Sequence, residues 1–128
     1  MTKVQSFGAA ETVTGSCHLL TLNQGPTVLV DCGMFQGHTE HHSRDPFGFD
    51  PATIDLLLIT HAHLDHVGRI PKLVKEGFNG RIITTRATME LAEVILLDSA
   101  KIAKEDYATK IKKARRRGEE LQISEPIY

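Results

Sequence analysis

Cysteine is scarce. The 128 residues hold two, Cys17 and Cys32, with no CxxC spacing. That excludes a disulfide framework and makes a reducing, cytoplasmic setting the default expectation. Long apolar runs are missing as well. None exceeds the four residues of Leu56–Ile59, far short of the ~20 that a membrane-spanning helix needs, so no membrane partner is expected. Met1–Ser6 carries one Lys and no apolar stretch, so the sequence gives no expectation of a secretory signal. No repeat or low-complexity linker is visible. Neither sign of charge dominates: the formal net charge is −1, and composition alone does not announce a nucleic-acid binder. With 41% hydrophobic and 24% charged residues the chain reads as one ordinary globular domain, able to bury roughly two-thirds of its unfolded surface.

Histidine, by contrast, is plentiful. There are seven, and six fall at 38, 41, 42, 61, 63 and 66. The first third of the chain reads as β. Residues 3–7 alternate polar and apolar, Gly8-Ala9-Ala10 interrupts them, and residues 16–22 form a second apolar stretch. Asn23-Gln24-Gly25-Pro26 is a turn, and residues 27–30 form the return strand of a hairpin. Residues 34–50 read as a polar, Gly- and His-rich loop. Residues 54–59 are nearly all apolar, the pattern of a strand buried on both faces inside an α/β sheet. A helix beginning near Pro71 and ending at Gly77, then a strand over 81–85, complete a β-loop-α-β unit. A long helix follows, with Thr88 as the expected N-cap, Leu91, Val94, Ile95, Ile102 and Ala103 at helical spacing, and Gly118 as its stop.

The chemistry concentrates in His61-Ala62-His63-Leu64-Asp65-His66, directly after the apolar strand. Ligands of α/β sheets gather outside the carboxyl ends of strands. Residues i and i+2 of an extended segment point the same way, so His61 and His63 can reach one ion. Asp65 and His66 follow as the chain turns into a helix and can aim at a neighbouring point. Imidazole and carboxylate donors suit Zn²⁺, Fe²⁺ or Mn²⁺. The bland alternative is a solvated His-rich loop, which fails to explain why three His and an Asp should be crowded together without a partner. His38, His41 and His42 lack such framing and read as solvated, and His18 reads as structural. Asp31, at the end of a strand, has two readings: an acceptor that orients a metal-bound His, or a cap on a turn. Residues 101–128 carry eight Lys or Arg against five acids, with six cations and no acid between Lys110 and Arg117. That run could meet nucleic-acid phosphates, but it reads more simply as the solvated end of a helix.

The HxHxDH run resembles the signature of the metallo-β-lactamase superfamily. Residues 8–17 (GAAETVTGSC), 31–37 (DCGMFQG), 68–71 (GRIP), 88–102 and 125–128 (EPIY) are similar to its β-CASP branch of nucleic-acid-processing nucleases. Within that branch they look closest to the prokaryotic relatives of the endonuclease subunit of the mRNA cleavage and polyadenylation factor. The resemblance implies an αββα sandwich, two zinc ions (Mn²⁺ or Fe²⁺ as alternatives), and hydrolysis of RNA by a metal-activated hydroxide. His61 and His63 would hold the first ion and Asp65 and His66 the second. Asp65, His66 and Asp31 would be the catalytic residues. RNA is the implied partner, with single-stranded DNA as a second substrate and a homodimer as the assembly. The family's later motifs would lie beyond Tyr128. Residues 1–128 are therefore expected to be a truncated α/β domain, the N-terminal half of the sandwich, weak in metal binding and nearly inactive alone. Two rivals stay open: a thioesterase-like hydrolase of the same superfamily, and an inert fragment or scaffold. The Val67-Gly68-Arg69-Ile70-Pro71 continuation disfavours the first, and the intact ligand set disfavours the second.

Overall fold

The computed structural model describes residues 1–118 and 124–128. Residues 119–123, which include the tail acids Glu119 and Glu120, lie outside them. Five strands form one mixed sheet in the order β1 (Lys3–Ser6), β2 (His18–Thr21), β3 (Thr27–Val30), β4 (Leu56–Leu58) and β5 (Arg81–Ile83). The β2–β3 hairpin is antiparallel with Thr21 opposite Thr27, which leaves a five-residue connection, Leu22 and the expected turn over 23–26. β4 lies parallel to both β3 and β5, so the sheet changes from antiparallel to parallel at β3.

β4 is shorter than its apolar text suggests. Leu57 is fully buried, but Leu56 and Leu58 on the opposite face are only half-buried, so the strand is covered on one face and partly on the other. Leu57 joins Leu19, Leu29, Ile54, Val67, Ile70, Leu73 and Phe78 in the core between the sheet and its helices. Cys17 and Cys32 are free thiols buried in that core.

The helix expected near Pro71 is present, and a separate helical turn precedes it. α1 (Leu64–Val67) is one turn long, and α2 (Ile70–Lys75) restarts after it with Pro71 in its first turn. Proline has no N–H to give the preceding turn, so the helix cannot run through it. The expected loop over 34–50 is also partly ordered: Gly37–Arg44 forms a 3₁₀ helix. Ser43 is its buried anchor, its hydroxyl taking the Phe35 N–H at 2.8 Å. The Lys72 ammonium holds the segment's far end, donating to the Asp45 carbonyl at 2.9 Å and lying 4.1 Å from the Phe47 ring centre. Buried Arg69 donates from Nε to the Gly33 carbonyl and lies 4.9 Å from the ring centre of Phe35.

α3 (Arg86–Arg117) begins three residues earlier than a Thr88 cap would place it. Thr85 is the N-cap, its hydroxyl accepting from the Thr88 N–H at 3.2 Å. Three threonines within five residues offer the same chemistry, and only the path of the chain out of β5 selects among them. Gly118 ends the helix in the left-handed conformation at φ 66°, as glycine there permits. Of the apolar positions expected along α3, Ile95 and Ala103 are half-buried, while Leu91, Val94 and Ile102 are exposed. β5 is an edge strand whose Ile82 and Ile83 are nearly half exposed. No helix among the described residues is long and apolar enough to cross a membrane.

Candidate metal centre

The carboxyl ends of β3 and β4 lie side by side, and the site is built across them. Asp31 follows β3 and Thr60-His61 follows β4. The pairing continues one step past the strands, because the Asp31 N–H donates to the Leu58 carbonyl at 2.8 Å. Asp31 takes a left-handed backbone, φ 62°, which an L-residue other than glycine rarely adopts and Asp tolerates better than most. This turns its carboxylate inward, where the residue is 2% exposed.

α1 carries Asp65 and His66 and is too short to satisfy its own carbonyls. The Gly68 N–H closes the turn onto Leu64 O at 2.8 Å, and the neighbouring loops supply the other donors. Leu64 O accepts from the Met34 N–H at 3.0 Å, Asp65 O from Ser16 at 2.9 Å and His66 O from Cys32 at 2.9 Å. Those three bonds pin the turn against the ends of β2 and β3. They require bare backbone at Gly33, where a Cβ would stand 1.6 Å from the Asp65 carbonyl oxygen. Gly33→Ala is therefore expected to push α1 off the sheet, costing at least about 2–3 kcal/mol in a denaturant titration of the intact protein. An unchanged midpoint would mean that α1 docks otherwise.

The three imidazoles of the motif crowd together. The His61 and His66 rings are 3.9 Å apart between centres and His61 and His63 are 4.7 Å apart. His61 and His66 are half-buried and His63 is exposed, as the residue capping α1. Behind them Asp31 collects donors: His66 Nδ1 at 2.8 Å, the Thr60 N–H at 2.8 Å and the Thr60 hydroxyl at 2.8 Å. The Ser16 hydroxyl adds a longer approach at 3.4 Å. Of its two sequence readings, Asp31 thus has the geometry of an acceptor that orients an imidazole.

On the other side of the His66 ring, Nε2 is 3.4 Å from Asp65 Oδ2. With Nδ1 donating to Asp31, Nε2 carries a lone pair and faces an oxygen that also only accepts. Two acceptors at that spacing call for a cation or proton between them. Donors of one tetrahedral ion at about 2.0–2.2 Å are themselves about 3.3–3.6 Å apart, so this pair fits a shared Zn²⁺. No three His, Cys, Asp or Glu side chains among the described residues are arranged to hold one ion together. The motif as placed brings one donor pair, His66 Nε2 and Asp65 Oδ2, to that spacing, and the donor chemistry fits a divalent transition metal.

The other histidines stand apart. His38, His41 and His42 are exposed on the 3₁₀ segment, where His42 Nδ1 meets Asp45 at 2.9 Å. His18 lies between two hydroxyls, Ser6 at 2.8 Å and Ser16 at 3.2 Å. The cations between Lys110 and Arg117 are exposed at the end of α3. Sequence reasoning overlooked Thr60 and Ser16, both of which touch Asp31. A hydroxyl residue sitting between the apolar strand and the first His was the available sign of Thr60.

A sequence model of the metallo-beta-lactamase superfamily matches residues 10–123, and the chain belongs to that superfamily. Among characterised proteins it is similar to a ribonuclease of Thermus thermophilus, 54% identical over 82% of this chain and 24% of that protein. It is also similar to cleavage and polyadenylation specificity factor subunit 3-I of Arabidopsis thaliana, 37% identical over 79% of this chain and 15% of that one. An endoribonuclease of Schizosaccharomyces pombe is 36% identical over 77% of this chain and 13% of its own length. The chain thus spans a quarter or less of the length of these relatives.

Proposed function

We propose that this protein is a metal-dependent phosphodiester hydrolase that cleaves RNA in processing or decay, and that residues 1–128 form the part of its metallo-β-lactamase domain that carries the HxHxDH motif. One observation carries the proposal: imidazoles and a carboxylate gathered at adjacent strand ends, backed by a buried Asp, in a chain whose relatives are ribonucleases. The same motifs support a place in the β-CASP branch. In this reading His61 and His63 hold one ion, and Asp65 and His66 a second. Zinc is the favoured metal, with Mn²⁺ or Fe²⁺ as alternatives.

When bound, the ions would supply Lewis acidity for activating water near neutral pH and offsetting charge on the phosphoryl oxygens. The chain's own residues supply order. Asp31 holds the His66 ring with Nε2 forward. Asp65 brings negative charge to the same point, and the exposed His63 leaves the site open to a strand arriving from solvent. Because related proteins bear the name endoribonuclease, internal cleavage is the favoured mode. Two cysteines without CxxC spacing favour a reducing compartment such as the cytoplasm. Single-stranded DNA as a second substrate and a homodimer rest on the family resemblance alone.

The test uses the intact protein, end-labelled single-stranded RNA and, in parallel, a thioester. RNA is expected to yield internal fragments. A chelator should slow cleavage at least about 100-fold, and added Zn²⁺ should restore it. Thioester hydrolysis with intact RNA would replace this reading with the thioesterase one, and chelator-resistant cleavage would remove the metal from it.

A further inference from the structure

Thr60 sits between β4 and the first histidine of the motif and makes three bonds at once. Its N–H donates to Asp31 Oδ1 at 2.8 Å. Its hydroxyl is 2.8 Å from Asp31 Oδ2, and the same oxygen is 3.0 Å from His61 Nδ1. A hydroxyl has one proton to give, and a carboxylate can only accept. The proton therefore points to Asp31, and Thr60 Oγ turns its lone pairs to His61. His61 Nδ1 must then carry the ring hydrogen, which leaves Nε2 with the lone pair.

His66 is set in the same way from the other side, with Nδ1 donating to Asp31 Oδ2 at 2.8 Å. A single threonine–aspartate unit thus fixes the tautomers of two imidazoles whose ring centres are 3.9 Å apart. Under the reading proposed above, on which this inference rests, those two rings serve different ions. We infer that Thr60 is a positioning residue: its hydroxyl presents Nε2 of His61 to the first ion and, through Asp31, steadies Nε2 of His66 for the second. The two positions are coupled through one hydroxyl group. β-branching suits the task, since it restricts χ1 and so keeps the hydroxyl between its two partners.

Thr60→Val keeps the shape and the backbone bond to Asp31 and removes only the hydroxyl, while Thr60→Ser restores it. Two measurements on the intact protein separate the outcomes. The first is the histidine tautomer in the metal-free protein, from nitrogen chemical shifts of labelled rings. The second is the affinity for each equivalent of Zn²⁺, from competition with a chromophoric chelator. Wild type should show His61 protonated at Nδ1. Thr60→Val should lose that preference, with first-equivalent affinity down about 10–100-fold and a smaller fall for the second, as for other groups that orient a metal-binding imidazole. Thr60→Ser should recover both. A wild-type His61 carrying its hydrogen on Nε2, or a Thr60→Val protein that binds zinc like wild type, overturns the inference. A wild type that binds no zinc at all overturns the metal reading itself, and is told apart because the failure is already present before any substitution.

Discussion

Asp65→Ala or His66→Ala is expected to abolish RNA cleavage by the intact protein, by at least about 10³-fold in kcat/KM, because an ion that contributes several kcal/mol to the transition state loses one of its donors. The geometry makes these two the sharpest probes. His66 Nε2 and Asp65 Oδ2 face each other at 3.4 Å, so removing either leaves the other without its partner at the proposed second ion. The loss should come with one fewer equivalent of bound metal by elemental analysis, while the fold persists. Asp65 and His66 are each about one-fifth exposed at the side chain, and the bonds that dock α1 run through their backbone carbonyls, which alanine keeps. Full activity alongside an emptied second position would argue that the motif is not the catalytic centre.

Asp31 is the second strong lever, and there the effect falls on stability as well as metal. Alanine leaves His66 Nδ1–H, the Thr60 N–H and the Thr60 hydroxyl without their acceptor and puts a residue poorly suited to φ 62° at the bend. A loss of about 2–4 kcal/mol is expected in urea unfolding of the metal-free protein. Asn is the finer test, since it keeps the shape and tolerates the backbone. Oδ1 faces the Thr60 N–H and Oδ2 the His66 Nδ1–H, so whichever way the amide is turned its NH₂ opposes another N–H. Asp31→Asn should therefore cost about 1–3 kcal/mol and weaken zinc binding about 10–100-fold. Stability within about 0.5 kcal/mol of wild type for both variants would mean that the carboxylate is a dispensable turn cap.

Much of this was legible in the residue order, and the legible parts share a cause: they are local. The β2–β3 hairpin follows from two apolar stretches around a four-residue turn. The α3 stop follows from one glycine, and the His61–His66 cluster from its position after an apolar strand. The parts that were not legible depend on partners distant in sequence. Residues 37–44 have no apolar period to betray a helix, and their order comes from buried Ser43 and its bond to Phe35. The apolar positions of α3 have the right spacing, yet spacing alone does not say what covers them. Thr60 looks like any strand-ending threonine until Asp31, 29 residues earlier in sequence, is brought beside it.

β5 and the adjoining stretch of α3 carry a consequence for how this polypeptide behaves in water. Ile82, Ile83, Leu91, Val94 and Leu97 are each between about one-half and two-thirds accessible, and among the described residues β5 has a neighbour on one side only. Peptide groups along the free side can recruit another strand, and the half-exposed Ile82 and Ile83 offer it apolar side chains. Residues 1–128 taken alone are therefore expected to associate through that strand as their concentration rises.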